Sequence, residues 1–311
     1  MKGTILVTDS LFIFDTHEKT LRDAGYEIYR LDKPKATEEE LIEAVKSKVG
    51  YILGGIEQVT DKVIEAADEL KVISFTGADA HGFITGFNKA TEKGIAITTT
   101  PGANTYAVAE YTLSVMLAMT RNIFELGRTG DKSFQTTSSL KDLTIGIVGV
   151  GHIGSRMAEI LSSLGAKEIL YTNRTRKEAL EEKTKAIFVS MDELLERSDI
   201  VTLHVSKEIG EGFFDKQKLS KMKDGALLVN CGFMSGVNRD DLLTELEARR
   251  LRAAEDGPKD DRFKNLPLAT WYCSNDHTAY NTHEANMKAS DMAVSSILNI
   301  LERGDDQFKA N

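Results

Sequence analysis

A chain of 311 residues is long enough for two domains of ordinary size, each with its own core. Its 41% hydrophobic and 28% charged residues are the balance of a globular protein, and a net charge of −9 argues against nucleic acid or anionic membrane as the main binding partner. Two cysteines, Cys231 and Cys273, suit a reducing compartment better than a disulfide scaffold, and no signal-peptide core or apolar run of roughly 18 residues is present, so a cytoplasmic protein is expected.

Strand-like and helix-like segments alternate along the chain. Residues 4–7 predict a strand, 17–24 a helix, 27–30 a strand and 37–47 a helix opened by Thr37 as N-cap ahead of Glu38, Glu39 and Glu40. A short apolar strand at 51–53 ends in Gly54-Gly55. A helix at 61–67, a strand at 72–75 and a strand at 95–98 follow. Short apolar strands separated by helices imply right-handed crossovers and a parallel sheet covered on both faces. After Pro101-Gly102 a long helix is expected over residues 104–122. It is apolar on most faces, which places it in a buried environment. Residues 127–142 are polar and weakly patterned, and predict a loop or arm. A second alternating region has strands at 144–148, 168–172, 186–188, 200–204 and 226–229. Its helices are expected at 153–164, 191–196, 216–222 and 240–249, and a last amphipathic helix at 284–303. The fold class is α/β, with two Rossmann-like parallel-sheet domains.

The sharpest motif is Gly149-Val150-Gly151-His152-Ile153-Gly154, at the end of an apolar strand and the start of a helix. That context is what a dinucleotide fingerprint requires. Gly149 allows the tight turn, Gly151 the approach of a pyrophosphate, and Gly154 close packing of helix on strand. The helix opening at His152-Ile153 presents free N–H groups and a partial positive charge to phosphate. The second strand runs into Thr172-Asn173-Arg174-Thr175-Arg176-Lys177. An acidic residue there normally takes the adenosine ribose hydroxyls. Asn173 followed by Arg174, Thr175 and Arg176 favours a 2′-phosphate instead, since a guanidinium clamps phosphate with two hydrogen bonds. The expected cofactor is therefore NADP(H).

With these residues in view, the chain resembles the D-2-hydroxyacid dehydrogenase family, its glyoxylate/hydroxypyruvate reductase branch in particular. The carriers are Gly94-Ile95 through Thr100-Pro101-Gly102-Ala103-Asn104, Val108-Ala109-Glu110, the glycine motif and residues 169–177. Ser198-Asp199-Ile200-Val201, residues 222–226 and Val229-Asn230 also belong to them. The resemblance implies a flavodoxin-like substrate domain from residues 1–101 and 285–311, and an inserted nucleotide domain over 102–284. It also implies a homodimer built largely on the nucleotide domain and the long helix.

It further implies a histidine that donates a proton while hydride arrives, a carboxylate that orients it, and an arginine that binds the substrate carboxylate. His277 falls at the histidine position. Phe233, in Asn230-Cys231-Gly232-Phe233-Met234, stands at the arginine position, which removes a charged partner and makes the pocket more apolar. Asp256 matches the residue that contacts the nicotinamide amide, and Asp260 or Asp261 is the candidate replacement for the carboxylate. Lys259 and Arg262 are the cations nearest in sequence to that segment. Candidate substrate-pocket residues are Gly54, Ala78, Asp79, His81 and Phe233. His204 is expected to border the adenine, and Cys231 and Gly232 the nicotinamide, with Cys231 a small buried thiol rather than a nucleophile. Trp271 is expected in the core. Cys273 and His277 lack further ligands, so no metal site is expected. Two readings follow: an NADPH-dependent oxidoreductase acting on a non-standard carbonyl or imine with an apolar neighbour, or a non-catalytic descendant that senses NADP(H) or serves as a scaffold.

Overall fold

A computed structural model describes residues 1–8, 13–33, 35–130 and 136–311. The chain divides into two compact units, Met1–Asn104 with Asn281–Asn311, and Thr105–Tyr280.

In the first unit, β1 (Thr4–Thr8), β2 (Glu27–Leu31), β3 (Gly50–Leu53), β4 (Val72–Phe75) and β5 (Ala96–Thr98) form a parallel sheet in the order β2-β1-β3-β4-β5. This is the flavodoxin-like order. Alternation along the strands divides the core. Leu6, Tyr51, Leu53, Ile73 and Phe75 pack on one face. Ile5, Val7, Ile52 and Val72 pack on the other, against Ala293, Val294 and Ile297 of the helix His283–Arg303. The last helix thus completes a core begun by the first strand. Thr37 caps the helix Glu38–Val45 by accepting from the Glu40 amide, while the Glu40 carboxylate accepts from the Thr37 amide.

In the second unit the strands are β6 (Thr144–Val148), β7 (Glu168–Thr172), β8 (Ile187–Phe188), β9 (Ile200–Leu203), β10 (Leu227–Asn230), β11 (Arg252–Pro258) and β12 (Trp271–Asn275). They form one parallel sheet in the order β12-β11-β10-β9-β6-β7-β8. Both faces are covered, so the strands are almost continuously apolar. Ile145, Ile147 and Val229 face the cluster that holds Val108, Val115 and Met119 of the helix Thr105–Thr120. Val148, Leu203 and Leu228 face the cluster of Leu242, Phe263 and Trp271. From β6 the chain steps outward through β7 and β8, then restarts at β9 on the other side of β6. Ligands of open parallel sheets bind beyond the carboxyl ends of the strands at such a reversal.

The structure departs from the expected elements in several places. Residues 252–258 and 271–275, to which no element was assigned, form β11 and β12. Their Arg, Glu, Asp, Gly and Pro content disfavours a strand locally, and tertiary partners described below override it. The long helix stops at Thr120, because Asn122 adopts a left-handed conformation with φ of 55°. A second helix, Ile123–Thr129, then occupies the start of the segment expected as a loop. Residues 131–135 of that segment lie outside the described residues. The helices Phe87–Glu92 and Glu178–Thr184 were also not anticipated. Among the described residues, no helix is long and apolar enough to cross a membrane.

Candidate active site and dinucleotide loop

The glycine loop leaves β6 at Val148. Gly149 has φ of +89°, and a Cβ there would lie 2.6 Å from the His204 carbonyl oxygen, so both conformation and space demand glycine. A Cβ on Gly154 would lie 2.0 Å from the Gly149 oxygen, which fixes how closely the helix His152–Ser163 approaches the turn. At Gly151, by contrast, nothing lies within 4 Å of the added carbon. Gly151 is the N-cap, and no side chain caps the helix. The first-turn N–H groups therefore remain for an anion, and the open side of Gly151 lets one approach. These residues fit a dinucleotide pyrophosphate. The exposed His152 side chain adds nothing to the turn itself.

Asn173 ties this loop to the end of β7. Its Oδ1 accepts from the Val150 amide at 3.3 Å, and its Nδ2 donates to the Thr175 carbonyl at 2.9 Å. The two arginines beyond it differ in role. Arg174 is 90% exposed in its side chain, with only a 3.6 Å contact to the similarly open Glu208. Arg176 forks onto Glu181 at 2.9 and 2.7 Å, and Tyr171 donates to the same carboxylate at 2.6 Å. The Arg176 guanidinium holds Glu181 down to about 2. Arg176, expected at the adenosine end, is thus tied to Glu181 while staying largely exposed and lining the same pocket as Gly151 and His152, and Arg174 is the more open guanidinium.

The carboxyl ends of β9 to β12 lie along the same edge of the sheet as the glycine loop. His204, after β9, shares a 3.0 Å hydrogen bond with Thr202 Oγ1, and burial lowers its imidazole to about 4, so it is neutral at physiological pH. Cys231, after β10, is buried, and desolvation raises its thiol to about 12, which removes it as a nucleophile. Gly232 donates to Asn230 Oδ1 at 3.2 Å, while Asn230 Nδ2 donates to the Phe233 carbonyl at 3.2 Å. Asn230 thereby shapes the turn that presents Phe233 and Met234.

Four carboxylates follow, and three have defined work. Glu255, only 1% exposed, pairs with Arg239 at 2.5 Å and accepts from Trp271 Nε1 at 2.8 Å. Arg239 also lies 4.4 Å from the centre of the Phe263 ring. Asp256, 3% exposed, accepts from the Thr278 amide at 3.0 Å, the Thr278 hydroxyl at 2.9 Å and the Ala279 amide at 2.9 Å. It therefore clamps the residues that follow His277. Asp260 binds Arg262 through several hydrogen bonds and lies 3.5 Å from Arg239, and Arg262 holds it down to about 2. Asp261, exposed in the short turn Asp261–Phe263, has no such tie described. Arg262, one of the two cations nearest in sequence to this segment, is engaged by Asp260 and Asp240.

His277 follows β12, and its amide donates to Asp276 Oδ1 at 2.7 Å. The histidine–carboxylate pairs among the described residues are His17–Asp291 and His81–Asp79, so the His277 ring has no such partner among them. Its neighbour is apolar. A Cβ on Gly257 would meet Met234 Sδ at 1.9 Å and His277 Cε1 at 3.2 Å, so thioether and imidazole flank one point. Phe233 turns its ring toward Gly236 of its own turn, whose added Cβ would meet Phe233 Cδ1 at 3.1 Å. Met234, Arg239 and Glu255 were not among the residues expected at this edge. Met234 directly follows Phe233 in the segment singled out in the sequence, and that adjacency was the available signal.

In the first unit, Asp79 Oδ1 accepts from the His81 amide at 3.1 Å, and the His81 ring stacks on Phe87 at 4.2 Å. The Asp79 carboxylate thus occupies a backbone donor of that turn. Ala78 is exposed and Gly54 is buried. Among the described residues, no group of three or more His, Cys, Asp or Glu side chains is arranged to hold a metal ion.

A sheet reversal with a glycine turn and an uncapped helix at its carboxyl edge defines a dinucleotide-binding α/β protein. The family model for the D-isomer specific 2-hydroxyacid dehydrogenase NAD-binding domain matches residues 113–283. A glyoxylate reductase of Thermofilum pendens is 33% identical over 85% of this chain and 81% of its own length. A D-3-phosphoglycerate dehydrogenase of Methanocaldococcus jannaschii is 30% identical over 86% of this chain, which spans about half, 52%, of that protein. The crystal structure of the TT0316 protein of Thermus thermophilus superimposes with a TM-score of 0.87. It is 26% identical, with 99% of this chain and 100% of that one covered. The chain belongs to the D-isomer specific 2-hydroxyacid dehydrogenase family, and is an NAD(P)-dependent oxidoreductase.

Proposed function

We propose that the protein is an NADPH-dependent reductase of a carbonyl or imine whose reacting carbon carries an apolar group where relatives would bind a carboxylate. The observation that carries this reading is the point beside His277 that Met234 Sδ fills, next in sequence to Phe233, which stands where the resemblance implies an arginine. Arg239 and Arg262, the nearest arginines in sequence, are held by Glu255, Asp260 and Asp240. A charged group on the substrate would be desolvated there without a partner, which is costly. An apolar group would not.

A bound reduced nicotinamide supplies hydride. Protein groups do the rest. The Gly151–Gly154 turn and helix start hold the pyrophosphate, and Arg174, with no carboxylate at Thr172 or Asn173, receives the 2′-phosphate. His277 donates its proton to the oxygen or nitrogen that gains charge as hydride arrives at carbon. Asp256 fixes the backbone that carries it, through the Thr278 and Ala279 amides. The same reading makes the protein a cytoplasmic homodimer, on the pattern of the family.

The test is oxidation of NADPH and NADH against 2-oxo acids, simple ketones, aldehydes and cyclic imines, with His277→Gln beside the parent. Turnover that prefers NADPH and disappears in the variant supports the reading. NADPH binding without His277-dependent turnover on any substrate would replace it with a sensor or scaffold role.

A further inference from the structure

The backbone of Gly257 is pinned from both sides. Its amide donates to Ser274 Oγ at 3.1 Å, and its carbonyl accepts from the Cys273 thiol at 3.1 Å. The space above it is filled by Met234, whose sulfur lies where a Cβ at 257 would be, 1.9 Å from that point. The His277 Cε1 atom lies 3.2 Å from the same point. Cε1 is the carbon between the two ring nitrogens. Whichever nitrogen carries the proton, the atom that receives it must come within roughly 3 Å of that nitrogen. A substituent on the reacting carbon is then within reach of the ring edge that Met234 covers.

We propose that Met234 is a specificity-determining residue: its thioether, seated over Gly257 and against the His277 ring edge, is the wall on which the substrate's apolar substituent packs. This rests on the reductase reading and extends it. Substrates with an unbranched or bulky hydrocarbon arm are selected over those in which the same position is small or charged. A flexible thioether suits arms of varied shape, because methionine adapts to irregular apolar gaps.

The experiment measures kcat/KM for NADPH oxidation with linear methyl ketones from acetone to 2-octanone and with 2-oxo acids of the same lengths. It compares the parent protein with Met234→Gly, Met234→Leu and Gly257→Ala. In the parent, kcat/KM should rise with chain length, by roughly fourfold at most for each buried methylene. Met234→Gly should flatten that dependence, so that the fold-change in kcat/KM per added methylene falls toward one and the loss is read in KM. Met234→Leu, which keeps an apolar wall, should preserve the parent profile. Gly257→Ala should disturb it, because its new methyl group displaces the sulfur. Turnover in the parent with the same chain-length profile in Met234→Gly would overturn the role of Met234 and leave the reductase reading standing. No His277-dependent turnover in the parent would overturn both.

Discussion

Replacing Arg239 by alanine removes the cation that makes Glu255 tolerable in the interior. Glu255 is 1% exposed, and its oxygens are met by Arg239 Nη1 at 2.5 Å and Trp271 Nε1 at 2.8 Å. Without the guanidinium, a buried carboxylate keeps a single neutral donor. Breaking a buried pair from one side costs about 3–5 kcal/mol, and loss of the contact on Phe263 adds about 0.5–1 kcal/mol. The 3.5 Å contact with Asp260 matters less, because Arg262 still pairs with that group. Replacing both members with apolar residues, Arg239→Met with Glu255→Leu, leaves only the Trp271 N–H unpaired, a cost of about 1–3 kcal/mol. The double variant should therefore be more stable than Arg239→Ala alone. Urea unfolding followed by fluorescence measures this in the right unit, since Trp271 is the chain's single tryptophan and lies in the cluster. A loss below about 1 kcal/mol for Arg239→Ala, or a double variant no better than the sum of its singles, would refute the claim that this pair holds β11 in the sheet.

Gly154→Ala should abolish binding of the reduced nicotinamide dinucleotide, read by its fluorescence, because its methyl group would lie 2.0 Å from a backbone oxygen that cannot swing away; unchanged affinity would contradict the packing described. Asp256→Asn replaces a charged acceptor facing three donors with one that is half donor, so stability should fall by about 1.5–3 kcal/mol and kcat should fall with the loosened His277 loop. Phe233→Arg should raise kcat/KM for 2-oxo acids by about ten- to a hundredfold, the worth of one hydrogen-bonded charge, and an unchanged value would show that position 233 does not face the substrate. His204 gives a pH signature. Its folded pKa, about 4, lies below the ordinary 6.5, so its contribution is complete above 6.5 and is lost as pH falls toward 4. Denaturation midpoints for the parent and His204→Gln should diverge in that window and run parallel above it.

Local signals in the sequence determined much of this protein. The strand–glycine–helix passage at 144–154, the Thr37 capping box and the apolar strands of both sheets depend on near neighbours, and so did the resemblance that named the family. Distant partners decided the rest. Arg252–Pro258 carries no local strand signal because its charges oppose one, and becomes a strand because Arg239 meets Glu255 and the 278–279 amides meet Asp256. Arg176 reads as the equal of Arg174 in the sequence, and only the fold shows that Glu181 pairs with it. Phe233 is visible as a lost arginine in the sequence itself. That Met234 beside it lies over Gly257 and against His277 is visible only once β10, β11 and β12 end side by side, because residues 234, 257 and 277 are too far apart in the chain for any local pattern to join them.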